Sequence, residues 1–409
     1  MVRTVEEHAE AIARLVTSAL EHRGGEHLAV DAEQHTTSPD TYRLRVLVDG
    51  VLASIDLPPF DNSQMDGYAV ASADLASGSV TLPVGPRIAA GHPPGHLAPG
   101  TAAPIMTGAP LPGGADAVIP IEAATPDRFL PETDGQEVTL SGPVPPEQFV
   151  RRTGSDIRAG DVLLERGTLL RAAHWGVLAA SGVDTVEVHA KPRILVVSTG
   201  SELADAQGDL VAGTIHDANG ASLVAALGEA GADVSLLRVS DDAGALLSAL
   251  VEAAADADLV VTTGGVSAGA YEVVRDAFES RGVRFESVAM QPGGPQGWGV
   301  LALDDFDVPV ICFPGNPVSV LVSWEAFLRV PLARALGRPV PRRDATAALA
   351  EGRTLPPAST RCVALASTPT AACTSSAGRA RTCCTRTPSR TPWRTSRSAS
   401  RGSRPETRS

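Results

Sequence analysis

"RILVVSTGSEL", residues 193–203, is a short apolar and β-branched run that breaks into a polar turn bearing a glycine. A run of this length between turn signals reads as a buried strand, with the turn at its carboxyl end. The pattern recurs in "DVSLLRVS" (233–240), "DLVVTTGG" (258–265) and "VPVICFPG" (308–315). Between these runs lie Ala- and Leu-rich segments of helical period, "GASLVAALGEAGA" (220–232) and "AGALLSALVEAAADA" (243–257). Strand and helix in alternation predict a mostly parallel sheet covered on both faces, whose ligands bind at the carboxyl ends of the strands.

Upstream of Lys191 the texture differs. Residues 4–22 read as an amphipathic helix, with Thr4 and Glu7 at capping-box spacing and Ile12, Leu15, Val16, Ala19 and Leu20 on one face. From 80 to 150, short Gly-, Pro- and Val-rich runs predict a small β-rich lobe. "FVRRTGSDIRAGDVLLERGTLL" (149–170) continues as strand and turn, and "RAAHWGVLAASGV" (171–183) as helix.

The chain has 409 residues, is 43% hydrophobic and carries a formal net charge of −13. Those values predict a multidomain globular protein, and the acidic balance argues against nucleic acid as a partner. No run reaches the ~18 apolar residues of a membrane span, and the acidic start "MVRTVEEHAE" is unlike a secretory signal, so the expectation is a cytoplasmic protein without a membrane partner. Residues 366–409 contain no Val, Ile, Leu, Met, Phe or Tyr, carry a charge of +8, and leave −21 for residues 1–365. Such a composition predicts disorder, and its Arg, Ser, Pro and Thr mixture is what GC-rich coding sequence gives when read out of frame. A basic nucleic-acid-binding arm is the competing reading of that tail. Four of the five cysteines (Cys362, Cys373, Cys383, Cys384) lie in or beside it, at spacings that match no common zinc pattern.

Three of the predicted strands end in glycine-bearing loops, "STGSEL" (198–203), "TTGGVSAG" (262–269) and "FPGNPVSV" (313–320). Glycine lets backbone amides approach an anion, which makes Ser198, Thr199, Gly200, Gly264, Gly265, Ser267, Gly269 and Gly315 candidates for phosphate binding, with Asn316 and Ser319 adding hydrogen-bonding groups. Taken singly, each loop is an ordinary turn and Asn316 an ordinary helix cap. Glu202, Asp217 and Glu272 lie in the same kind of loop, and carboxylates beside a phosphate site suit a bridging Mg²⁺. His216 reads as a loop histidine, and Trp298 either as core or as a stacking platform.

"FDNSQMDGYAV" (60–70), "IMTGAPLPGGADAVI" (105–119), "RRTGSDIRAGD" (151–161), "VVSTGSEL" (196–203), "IHDANG" (215–220), "TTGGVSAG" and "FPGNPVS" (313–319) occur in the order found in the MoeA family, the molybdopterin molybdenumtransferases, to which gephyrin's E domain belongs. Across residues 1–340 the chain resembles that family. The resemblance implies an α/β multidomain fold: a discontinuous N-terminal linker domain (1–60 and 145–188), an inserted β-rich lobe (61–144), a MogA-like molybdopterin-binding sheet domain (189–338), and the remnant of a C-terminal β-barrel (339–409). It implies insertion of molybdate into adenylylated molybdopterin with release of AMP, assisted by Mg²⁺ at Glu202 and Asp217. It also implies a homodimer whose cleft is shared between subunits, and transient contact with molybdopterin adenylyltransferase and molybdoenzymes.

Carried over by motif, the catalytic residues are Asp61, Asp156, Glu202, Asp217 and Glu272, and the substrate-binding residues include Asp66, Thr107 and, near the ligand's phosphates, Pro314, Gly315, Asn316 and Ser319. Many relatives have two lysines where this chain has Gln291 and Gly294, which leaves Arg275 or Arg152 to supply a cation; Glu272 stands where many have aspartate. Two other functions fit parts of the sequence: a molybdopterin adenylyltransferase or nicotinamide-nucleotide amidase, which share the sheet domain, and a scaffold or cofactor-binding protein without turnover. A P-loop kinase does not, since no G-x-x-x-x-G-K-[ST] occurs.

Overall fold

The computed structural model describes residues 2–21, 23–91, 93–130, 135–204, 210–267, 272–338 and the pair 360–361. The candidate Gly269, the four cysteines of the tail and the expected barrel remnant lie outside the described residues, Thr360–Arg361 excepted. Two compact units are present: Met1–His22 with Lys191–Ala335, and Arg23–Ala190 with Leu336–Arg338.

The first unit is built on a six-stranded sheet of β1 (Arg193–Thr199), β2 (Asp233–Val239), β3 (Leu259–Thr263), β4 (Val283–Ser287), β5 (Pro295–Ala302) and β6 (Asp307–Phe313). Its order is β2-β1-β3-β6-β5-β4, parallel from β2 to β6 and antiparallel beyond. The four repeated runs are the four parallel strands. The antiparallel pair β4 and β5 was not anticipated, because "VRFES" and "PQGWGVLA" are interrupted by polar residues and glycine. Short connections from β4 to β5 and from β5 to β6 leave no room for a crossover helix, so those strands reverse direction.

Leu195 and Val197 of β1, Val260 of β3 and Val310 and Cys312 of β6 form one apolar cluster with Leu246 and Leu250 of α3 (Ala243–Ala253) and Val274 and Phe278 of α4 (Val273–Phe278). The alternate residues Ile194, Val196, Val261 and Ile311 are equally buried, as strands covered on both faces require. Each such buried aliphatic contributes about 2 kcal/mol. On that side lie α1 (Val5–Leu20), α2 (Ala218–Glu229), α5 (Pro317–Ser323) and, after a π turn at Trp324–Leu328, α6 (Arg329–Ala335).

Helix α1 starts at the expected box: Thr4 Oγ1 accepts from the Glu7 amide at 3.1 Å, and Glu7 returns a carboxylate to the Thr4 amide at 2.9 Å. Its buried stripe of Ala11, Ile12, Val16 and Leu20 packs onto α6. The sequence division grouped residues 1–60 together, but this stripe buries α1 with the sheet unit. Trp298 is core, 7% exposed, with the His8 ring edge-on at 4.9 Å and the Arg3 guanidinium 4.3 Å above it.

The second unit holds the expected β-rich lobe as two three-stranded antiparallel sheets. Gly67–Val70 lies between Ala103–Ile105 and Ala117–Pro120, and Glu137–Leu140 lies between Val80–Pro83 and Ala124–Thr125. Gly25–Ala29 pairs with Thr185–His189, and the predicted helix at 171–183 spans Ala172–Ala180.

Candidate active site

Parallel strands bring their carboxyl ends to one rim. Arg238 of β2, Ser198 of β1, Thr263 of β3 and Phe313 of β6 stand in one register row. Beyond that row the chain opens a cavity of about 410 Å³. It is lined by Ser198, Thr199, Gly200, Glu202, Asp217, Gly264, Gly265, Ser267, Glu272, Pro314 and Gly315, all expected from the sequence, and by Asn219 and Asp241, which were not.

Gly264 turns the chain at φ +99°, where a Cβ would sit 2.8 Å from the Thr199 carbonyl, so the loops after β1 and β3 approach only because no side chain intervenes. The amides of Gly200, Ser201, Gly264 and Ser267 bond within the protein. Those of Gly265, Val266 and Gly315 meet no acceptor among the described residues. Three unspent donors at the rim of a cavity are what an anion needs. The Ser198 hydroxyl is buried there without a partner as well.

The carboxylates around the cavity are not alike. Asp217 is buried; its Oδ1 accepts from the Gly220 amide at 2.7 Å and caps α2, while its Oδ2 accepts from Arg238 Nε at 3.1 Å. Glu272 Oε2 accepts from the Ser267 amide at 2.8 Å. Asp241 Oδ2 takes the Ser201 amide at 2.8 Å. Glu202 is exposed, and its carboxylate has no hydrogen bond or ion pair among the described residues. It is the acid left open to a ligand.

Asn316 and Ser319 do not line the cavity. Asn316 Oδ1 accepts from the Val318 amide at 3.0 Å and the Ser319 amide at 3.2 Å, the plain helix cap. Ser319 is buried beneath it. Of the two arginines expected to stand in for the absent lysines, Arg275 donates to the Ser267 carbonyl at 3.3 Å and pairs with Glu279, and Arg152 pairs with Asp61 and Glu147. Both are committed within the chain. Asp241 is the first acid past β2, at the sheet edge where ligands gather, but the second strand ends without the glycine that marks the other loops.

Asp61, Asp66, Thr107 and Asp156 belong to the second unit, where three loops are knitted together. Leu111 donates its amide to the Asp61 carbonyl, Ser63 pairs with Val150, and the Asp156 amide reaches the Leu57 carbonyl. Asp66 Oδ1 receives both the amide and the hydroxyl of Thr107 at 2.7 Å, which hold its carboxyl below the ordinary range. Burial pushes Asp61 upward, but the Thr153 amide (2.8 Å), the Arg152 guanidinium and the Thr153 hydroxyl (2.9 Å) outweigh it, so its carboxyl is also lowered. Asp156 pairs with Arg151.

Residues 3–182 match the family model of the MoeA N-terminal region (domain I and II), and residues 195–334 that of a probable molybdopterin binding domain. The chain is 40% identical over 358 residues to molybdopterin molybdenumtransferase 2 of Mycobacterium tuberculosis, covering 84% of this chain and 82% of the relative. The chain belongs to the MoeA family. Molybdopterin molybdenumtransferase of a Nostoc species is 36% identical over 322 residues, covering 75% of this chain and 71% of its own length. The structure of a molybdopterin biosynthesis MoeA protein from Pyrococcus horikosii superposes on this MoeA-family chain with a TM-score of 0.64 at 32% identity, covering 83% of this chain and 81% of that one.

Proposed function

We propose that this chain inserts molybdate into adenylylated molybdopterin and releases AMP. Its family membership makes it a transferase of molybdenum cofactor biosynthesis. The observation that carries the finer reading is the cavity itself, whose lining combines the amides of Gly265, Val266 and Gly315 with the carboxylate of Glu202, all without a partner among the described residues. Amides suit phosphate oxygens, and the carboxylate suits a cation or a water aligned on the adenylate phosphorus.

Among the described residues no three His, Cys, Asp or Glu side chains gather at ion-holding distance. Mg²⁺ commonly takes only one or two carboxylates together with substrate phosphate, so Glu202 with Asp241 fits it better than Glu202 with Asp217, whose oxygens are already engaged. Bound there, the cation would neutralise phosphate charge that no Lys or Arg in the described lining can meet.

A homodimer is part of the proposal, with Asp61, Asp66, Thr107 and Asp156 of one subunit braced to face the other subunit's cavity. What supports it is the knitting of their loops and the half-exposed Arg151 and Arg152 beside them. The N-terminal match weighs against an adenylyltransferase, which the sheet domain alone would satisfy. No helix among the described residues is long and apolar enough to cross a membrane.

The test is AMP release from adenylylated molybdopterin with molybdate and Mg²⁺. Release that requires both molybdate and the cation is expected. Tight ligand binding with no AMP would instead establish the non-catalytic scaffold.

A further inference from the structure

We propose that Arg238, which the family motifs leave unassigned, is a positioning residue that fixes one wall of the cavity by gripping Asp217. The inference rests on the reading of the cavity as the ligand site. Arg238 ends β2, the outermost parallel strand, in register with the cavity residue Ser198. Its Nε donates to Asp217 Oδ2 at 3.1 Å, with the Asp217 side chain 2% exposed and that of Arg238 38% exposed.

A carboxylate removed from water this far is costly unless paired, and Arg238 is the only cation that pairs with it among the described residues. The other carboxylate oxygen caps α2 through the Gly220 amide. A Cβ at Gly220 would collide with the Asp217 carboxylate and come 2.8 Å from Ser198 Oγ, so strand, aspartate and helix start fit without slack. One residue earlier, Asn219 Nδ2 donates to the Gly315 carbonyl at 2.7 Å. The contact thus runs from Arg238 through Asp217 and the start of α2 to Gly315, whose amide is one of the unspent donors. With the guanidinium gone, the buried Asp217 carboxylate loses its charged partner and turns toward water, which frees the helix start from the glycine loop.

The experiment compares R238Q, R238K, D217N and the R238Q/D217N double variant by calorimetric binding of AMP with Mg²⁺ and by kcat and KM for AMP release. Misplacement of a binding wall costs roughly tenfold to a hundredfold in kcat/KM. The expected result is that loss in R238Q with AMP affinity weakened about tenfold, most of it restored in R238K, and a double variant no worse than D217N. Wild-type affinity and kcat/KM in R238Q, or losses that multiply in the double variant, would overturn the proposal. A D217N protein with full activity would sink the cavity reading instead. Should R238Q fail to fold, the double variant carries no buried charge, and its comparison with D217N and R238K still decides.

Discussion

Acidic loop residues mark both units of this protein, and the two sets are spent differently. In the β-rich unit Asp61 and Asp66 are tied to threonines of neighbouring loops and Asp156 to Arg151 five residues before it. In the sheet unit Asp217, Asp241 and Glu272 each accept a backbone amide in the same way, but Glu202 at the same cavity has no partner among the described residues. The difference teaches that an acid in a family motif has two employments, holding a loop or meeting a ligand, and that hydrogen-bond partners separate them.

The strongest way to break the comparison is to neutralise the unpaired acid. Glu202→Gln should lower the rate of AMP release about a hundredfold or more while leaving the urea unfolding midpoint unchanged, since its carboxylate makes no hydrogen bond or ion pair among the described residues. An equal loss of stability would show that Glu202 also holds structure. Next, Gly220→Ala should destabilise the sheet unit by about 2 kcal/mol in denaturant titration, because the added methyl has no room between Asp217 and Ser198.

Asp61→Asn sharpens the contrast from the other side. It should cost about 1–2 kcal/mol of unfolding free energy, with the Thr153 amide and Arg152 losing their charged partner. The carboxyls of Asp61 and Asp66 are lowered in the folded state, so their contribution is present above the unfolded carboxylate value and is lost as pH falls through the lowered one. Stability of the second unit should therefore fall in acid, and less so in the Asp61→Asn and Asp66→Asn variants.

The smallest effect concerns His8, fully buried between Trp298 and Phe327 with neither ring nitrogen hydrogen-bonded among the described residues. Burial, with Arg3 nearby, lowers its pKa to about 3. The unfolded chain then binds the extra proton below about pH 6.5, and stability drops by about 1 kcal/mol between pH 7.5 and 5.5. His8→Leu should flatten that part of the profile; an unchanged slope would place the titration elsewhere.

Local patterns made much of the fold legible. Four β-branched runs alternating with helical segments specify a parallel sheet, and the Thr4 and Glu7 pair starts α1 where expected, because strand burial and capping depend on near neighbours. The glycine loops could be placed at one rim for the same reason, since parallel strands must end together. What the sequence could not decide was how each polar group is employed. Asn316 caps its helix rather than lining the cavity, Arg275 and Arg152 are consumed by nearby acids, and Asp241 enters the lining from a loop that carries no glycine. Those outcomes depend on which atoms meet across strands far apart in the chain, as Arg238 and Asp217 do, and a carboxylate's availability is fixed only when the competing donors are in place.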